Sequence, residues 1–196
     1  MNKFSTLLMM KESLFPFSQI NAFAMQNGVI LGIWVLLSQF AMVGSFTYDV
    51  LSLLSALMML FSPILLFILT KSYRNSVAPV GFFTVTQGFL NAFLTSVYAS
   101  VWVSLLVYVY LTFFDNGYVF DAYIEYFNRP EVKEVLSQNE MQQQLNASLQ
   151  GMTLEEVIEG LRFIPPVTYA MMIFYLNLIV SPIASLCIAL FLKRVK

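Results

Sequence analysis

The apolar residues of this chain fall into long runs that carry almost no charge. Four such runs cover residues 22–47, 50–70, 88–114 and 167–192. A helix needs about 20 apolar residues to cross the roughly 30 Å hydrocarbon core of a bilayer. The pattern therefore predicts an all-α membrane protein. Its four transmembrane helices should form one bundle, and residues 1–196 should form a single polytopic domain.

The third run, Gly88 to Phe114, carries a regular pattern of small residues. Every fourth position is small, namely Gly88, Ala92, Ser96, Ser100 and Ser104. In lipid, helices associate where small side chains let their backbones approach closely. We therefore expect this helix to lie at the centre of the bundle.

Related stripes occur in the first and fourth runs. The first contains the pair Gly28 and Gly32, and the fourth contains Ser181 and Ser185. These residues are candidates for helix packing, although such spacing is frequent by chance in apolar helices. Whether the stripes of the first and third runs meet each other is left open by the sequence.

Three amides are candidates for a polar lining within the bundle. Gln87 and Asn91 lie near the start of the third run, and Asn177 lies in the fourth. Hydrogen bonding between helices is the favoured interpretation, because buried amides commonly serve this purpose in membranes. A polar wall along a cavity is the alternative.

Residues 115–164 form the only long polar stretch and should be helical and extracytoplasmic. Asp115-Asn116-Gly117 has turn chemistry, and a helix should run from Pro130 to about Leu149. Thr153 and Glu156 fit a capping box that begins a further short helix. At the other end of the chain, residues 1–20 should form an uncleaved interfacial segment.

Charge is scarce and unevenly distributed. Hydrophobic residues make up 59% of the chain and charged residues 11%, against about 25% charged in soluble domains. The lipid bilayer is therefore the expected surrounding. Because the positive-inside rule puts basic span ends in the cytoplasm, both termini should lie there. The basic residues on that side are Lys3, Lys11, Lys71, Arg74, Lys193, Arg194 and Lys196, opposed by Glu12 alone.

The residue inventory offers little reactive chemistry. The chain has no histidine and one cysteine, Cys187, and no charge lies within a predicted span. We therefore expect no catalytic residue, no metal, no cofactor and no enzymatic activity. The sequence also lacks a basic patch for nucleic acid.

Two functions remain open. The first is a non-catalytic scaffold or accessory subunit that binds another membrane protein or forms a homo-oligomer through its small-residue stripes. The alternative is a small transporter or channel for a neutral or lipid-like substrate. Pro63 and Pro182, which interrupt the second and fourth runs, resemble the broken helices of transporters.

Several short segments resemble the bacterial family called domain of unknown function 4199. They are Asn27 to Gly32 in the first span, Lys71 to Asn75 after the second, Gly81 to Phe83 and Gln87 to Phe89 before the third, and Lys193-Arg194 at the end of the fourth. The resemblance covers about Ala22 to Lys196. It implies a four-helix inner-membrane protein and carries no activity or catalytic residue.

Overall fold

The computed structural model describes residues 17–78, 81–137 and 151–194. These residues are helical apart from short connections, which confirms the predicted all-α class. The helices are α1 (Phe17–Gly44), α2 (Val50–Val77), α3 (Val85–Phe113), α4 (Tyr118–Asn128), α5 (Pro130–Leu136), α6 (Leu154–Arg162) and α7 (Pro166–Leu192).

Four of these helices are long and apolar enough to cross a membrane. α1, α2, α3 and α7 contain 28, 28, 29 and 27 residues. At 1.5 Å per residue each is about 40 Å long, which exceeds the hydrocarbon thickness of about 30 Å. Each helix therefore has length to spare for tilting or for reaching past the hydrocarbon. The chain is a multi-pass helical membrane protein.

α2 extends beyond the predicted span, which ended at residue 70. It continues through Lys71 and Arg74 to Val77. Both side chains favour helix, and their apolar stems can lie along the hydrocarbon while the charges reach water. A basic residue at the edge of a membrane thus marks the interface rather than the end of a helix.

α3 lies at the centre of the bundle, as predicted. It packs against α1, α2 and α7, and its contact with α7 is the most extensive in the molecule. The start of α3 and the end of α7 meet where Phe83 and Arg194 exchange two backbone hydrogen bonds of 3.0 and 3.4 Å. α3 and α7 are therefore antiparallel. We call this end of the bundle, which carries Lys71, Arg74, Lys193 and Arg194, the basic end.

The opposite end, which carries α4, α5 and α6, is the acidic end. Its first turn follows the predicted chemistry, because Asn116 and Gly117 have positive φ angles of 46° and 86°. The buried Asp115 carboxylate accepts hydrogen bonds from the backbone N–H groups of Gly117 and Val119, both at 3.1 Å. These bonds satisfy donors at the start of α4, which otherwise lack partners.

The remainder of the acidic end agrees with the sequence in part. The predicted capping box is present, since the Thr153 hydroxyl accepts from Glu156 and the Glu156 carboxylate accepts from Thr153. These hydrogen bonds lower the pKa of Glu156. α5 ends at Leu136, and the predicted continuation to Leu149 lies outside the described residues, as do residues 1–16 and Pro79.

Hydrogen bonds from side chains join α1 to α2. The Trp34 indole donates to the Met58 carbonyl at 2.9 Å, and the Asn27 amide donates to the Leu69 carbonyl at 3.4 Å. The Ser62 hydroxyl also donates to Met58, at 3.0 Å. The acceptors Met58 and Leu69 lie on either side of Pro63 along α2. The missing N–H of Pro63 removes one backbone hydrogen bond from this helix.

Candidate functional site: an apolar cavity at the acidic end

A cavity of about 440 Å³ lies between α1, α3 and α7 beneath α4 and α6. Ligand sites in proteins typically measure about 300–1,000 Å³, so its size fits a small or chain-like molecule. The residues that line it are Leu36, Gln39, Phe40, Met42, Val43, Phe46, Leu106, Val107, Tyr110, Leu111, Val119, Phe120, Tyr123, Leu161, Tyr169 and Ile173. We call it the acidic-end cavity.

Aromatic side chains of α4 form its roof. The Tyr123 ring lies 4.8 Å from the Phe46 ring, and the Phe120 ring lies 6.1 Å from the Tyr169 ring, centroid to centroid. Phe120 and Tyr123 lie three positions apart and so share one face of the helix. The amphipathic pattern of α4 therefore positions the helix across the cavity.

Few polar groups face this cavity. The Tyr169 hydroxyl donates to the Leu161 carbonyl at 2.6 Å, and Gln39 is the one amide among the described residues of the lining. Burial raises the pKa of Tyr123, so this phenol stays neutral at physiological pH. Among the residues that the structure describes, none of those that line the cavity has a carboxylate or a basic side chain. A charged ligand group would lose its hydration there without a counter-charge, and the lining therefore suits apolar chemistry.

Two arginines hold the roof from outside the cavity. Arg129 donates to the Phe46 carbonyl at 2.9 Å and to Asp49 at 3.4 Å, which ties α4 and α5 to the turn between α1 and α2. Arg162 binds Asp121, which ties α6 to α4. This hydrogen bond raises the pKa of Arg162, so its charge persists at any physiological pH.

Comparison with known proteins bears on this arrangement. A family model described as protein of unknown function (DUF4199) matches residues 22–194. The chain belongs to this family. The match covers all four spanning helices and the acidic-end cavity, so both are parts of the DUF4199 domain. Neither the curated proteins nor the solved structures contain a match to the chain.

The candidate packing residues of this DUF4199 protein lie at two interfaces of α3. A Cβ atom on Gly28 of α1 would lie 2.5 Å from the Cβ of Tyr98, and one on Gly32 would lie 3.4 Å from the Cβ of Trp102. Gly88 faces the other way, since its added Cβ would lie 3.2 Å from the Cα of Ala189 in α7. The glycines of α1 therefore contact one face of α3, and Gly88 lies on another face, which contacts α7.

The rest of the α3 stripe is buried, as are the serines of α7. Gly88 lies against Ala189, and steps of four residues along the two antiparallel helices predict that Ala92 lies opposite Ser185 and Ser96 opposite Ser181. Each of these four side chains is at most 5% exposed, and Ser100 is 2% exposed. The small residues thus lie within the chain's own helix contacts.

The three candidate lining amides do not line the acidic-end cavity. Gln87 forms a capping box with Thr84 at the start of α3, and the buried Asn91 amide donates to the Ile20 carbonyl at 3.5 Å. The side-chain oxygens of Asn91 and Asn177 are buried without a partner, like the hydroxyls of Ser181 and Ser185. A polar path between α3 and α7 stays a prediction.

Of the residues that line the cavity, the sequence offers Gln39 as an amide that could line a path through the bundle. Gln39 was identifiable as an amide in an apolar run, but its apolar neighbours gave no signal. The Thr84-x-x-Gln87 spacing matches the capping-box pattern, and that pattern offers a second interpretation of Gln87 from the sequence.

Proposed function

We propose that this DUF4199 protein is a non-catalytic membrane protein that binds the hydrocarbon part of a lipid-like molecule in the acidic-end cavity. The observation that carries the proposal is a cavity of about 440 Å³ with an almost wholly apolar lining, bordered by three spanning helices and an aromatic roof. The proposal includes the orientation predicted from the basic residues, with both termini in the cytoplasm of a bacterium and the cavity in the outer half of the inner membrane.

The shape of the site supports binding over passage. The cavity lies beside the extracytoplasmic helices, and the basic half of the bundle is filled by Ile20, Tyr73, Phe83 and Leu192, each at most 2% exposed. A transporter needs a second state in which this packing opens, whereas a binding protein does not. Lipid binding therefore requires no opening of the packed basic half, whereas transport does.

Photo-crosslinking tests the proposal with a defined probe. Membranes that contain the full chain are treated with a 16-carbon fatty acid carrying a mid-chain diazirine, and the labelled peptides are identified. We expect labels concentrated on the α1 and α3 residues of the cavity. Leu111→Trp, which fills the cavity, should reduce this labelling about tenfold, which corresponds to about 1.4 kcal/mol of binding free energy.

Leu105→Trp is the matched control because Leu105 is 50% exposed on α3 and does not line the cavity. This variant should keep the labelling pattern of the unchanged chain. Labels spread evenly over the lipid-facing sides of all four helices, or equal labelling of both variants, would contradict the proposal.

A second function, that of an accessory subunit, is favoured by a separate cleft. A space of about 300 Å³ lies between α4, α5 and α6 and includes Phe127, Lys133, Leu154 and Glu155 in its lining. Apolar side chains bordered by both charges suit a protein partner at the acidic end. The small-residue stripes no longer add to this argument, since Gly28 and Gly88 contact helices of the same chain.

Co-purification distinguishes the two functions. The full chain is extracted with mild detergent from its native membrane, alongside a variant in which Leu154→Glu places a charge in the cleft. A partner that is lost from this variant and kept by Leu111→Trp would support the subunit function. Recovery of the lone chain in both cases would argue against it.

A further inference from the structure

A second apolar space lies at the other half of the bundle, between α2 and α7. These two helices make few contacts with each other, and a groove of about 310 Å³ separates them. The residues of the groove include Pro63, Ile64 and Phe67 from α2 and Ala184, Cys187 and Phe191 from α7. We call it the α2–α7 groove.

Two arginines meet at the basic end of this groove. Arg74 of α2 donates to the Leu192 carbonyl of α7 at 3.4 Å, and Arg194, which follows α7, donates to the Ala78 carbonyl after α2 at 3.2 Å. Each arginine thus reaches across to the end of the opposite helix.

The groove and the arginines lie near each other along both helices. Phe191 of the groove directly precedes Leu192, whose carbonyl binds Arg74. Along α2, Phe67 lies seven residues before Arg74, which is about 10 Å at 1.5 Å per residue. An apolar channel beneath a positive cluster, at this spacing and at a membrane interface, matches a phospholipid with one acyl chain and a phosphate.

The charge of the surroundings favours an anionic headgroup. Every acidic residue among the described residues lies at the acidic end, from Asp49 onward. Four basic residues, Lys71, Arg74, Lys193 and Arg194, lie at the basic end among the described residues. Guanidinium groups bind phosphate through paired charge-assisted hydrogen bonds, and basic sites between helices at the cytoplasmic surface bind anionic lipids.

We propose that the α2–α7 groove binds one anionic phospholipid of the leaflet at the basic end. One acyl chain lies in the groove beside Cys187, and the phosphate lies against Arg74 and Arg194. This site is separate from the acidic-end cavity, so either proposal can fail without the other.

Cys187 provides a direct readout because it is the only cysteine in the sequence and is exposed. The purified full chain in detergent is mixed with phosphatidylglycerol or with phosphatidylcholine of the same acyl chains, and its rate of modification by a maleimide is measured. Phosphatidylglycerol should slow the modification, and about tenfold more phosphatidylcholine should be needed for the same effect. Equal protection by the two lipids would overturn the proposal.

Paired variants distinguish a specific phosphate site from a general electrostatic attraction of the lipid to the basic end. Arg74→Gln with Arg194→Gln should weaken phosphatidylglycerol protection about tenfold. Lys71→Gln with Lys193→Gln removes the same amount of charge from the same end. This pair should weaken phosphatidylglycerol protection less than the arginine pair does. Equal losses would show that the lipid responds only to net charge, which would overturn the proposal.

A further variant tests the groove even if the double arginine variant fails to fold. Ala184→Phe fills the groove and leaves both arginines in place, so native mass spectrometry should show loss of the bound lipid mass. Inorganic phosphate alone should neither protect Cys187 nor displace the lipid at equal concentration. Displacement of the lipid by inorganic phosphate would identify a free-anion site and overturn the proposal. The variant Leu111→Trp, which alters only the acidic-end cavity, should leave lipid binding in the groove unchanged.

Discussion

Gly28 lies at the closest approach between α1 and α3. Its surroundings are the Tyr98 Cβ, the Thr95 carbonyl and the Ala99 backbone nitrogen, which would lie 2.5, 3.1 and 3.3 Å from an added Cβ. Atoms of the main chain and of Cβ cannot rotate away as the far end of a side chain can. The space at Gly28 is therefore specific to glycine, whereas Gly32 has ordinary contact distances.

Gly28→Ala should destabilise the protein and Gly32→Ala should not. Both changes gain up to about 1 kcal/mol of helix propensity. At Gly28 the overpacking cost of about 1–3 kcal/mol outweighs that gain. Thermal unfolding in detergent, followed by circular dichroism, measures the difference. Equal melting temperatures for the two variants would mean that α1 and α3 do not pack through Gly28.

Asp115 is a second residue whose role is local and testable. It is 4% exposed and accepts two backbone hydrogen bonds at the start of α4. Asp115→Ala should destabilise α4 by about 1–2 kcal/mol, as expected for loss of a helix cap. Asp115→Asn keeps one oxygen acceptor and should lose less. The amide hydrogen-exchange rates of residues 117–122 are measured in Asp115→Ala and Asp115→Asn. Similar rates in both variants would rule out a capping role.

Single residues were predictable where the chemistry is local. The positive φ angles at Asn116 and Gly117 and the capping box at Thr153 follow from neighbours within four positions. Gln87 has the same kind of local role, but an amide in an apolar run also fits a polar lining. The choice between the two depends on where the side chain points, and the sequence leaves that open.

At the scale of elements, α3 uses two faces for two partners. The face that carries Gly88 packs against α7. The face that carries Thr95, Tyr98 and Trp102 packs against the glycines of α1. The sequence showed the stripes but left their pairing open. An apolar helix in lipid has no polar face to set its rotation, so the partner of each stripe depends on packing of the whole bundle.

The roof of the acidic-end cavity is attached by Arg129. Its strongest contact is the 2.9 Å hydrogen bond to the Phe46 carbonyl, since the Asp49 carboxylate is 3.4 Å away and its side chain is 87% exposed. An exposed ion pair contributes about 0–1 kcal/mol. The carbonyl contact should therefore matter more than the ion pair for holding α4 and α5 in place.

Arg129→Ala should loosen the roof, and Asp49→Asn should leave it nearly unchanged. Loss of a hydrogen bond from a charged donor corresponds to about 1.5–3 kcal/mol, which should raise amide exchange in α4 at least about tenfold. Hydrogen exchange measured by mass spectrometry on residues 118–128 provides the comparison. A larger effect of Asp49→Asn than of Arg129→Ala would show that the ion pair is the attachment.

At the scale of the whole molecule, charge and apolar space are divided between the two ends. Among the described residues, the acidic end has the carboxylates and the acidic-end cavity, and the basic end has Arg74, Arg194 and the α2–α7 groove. Four spans were predictable because hydropathy and length alone define them. Neither space was predictable, because each is bounded by residues from several helices and depends on how those helices separate.

This division makes the membrane orientation testable with two glycines that have matched surroundings. Gly81 lies at the basic end and Gly160 at the acidic end, and an added Cβ at either position meets nothing within 4 Å. Both positions are exposed. A cysteine at either glycine should therefore be accessible to water and free of steric strain.

Gly81→Cys and Gly160→Cys are each made in a chain that also carries Cys187→Ser, and intact cells are treated with a membrane-impermeant maleimide. Because the basic ends of membrane helices remain in the cytoplasm, only the cysteine at position 160 should react. After the cells are opened, the cysteine at position 81 should react as well, which controls for its accessibility. Labelling of position 81 in intact cells, with position 160 protected, would invert the orientation and place the acidic-end cavity in the cytoplasmic leaflet.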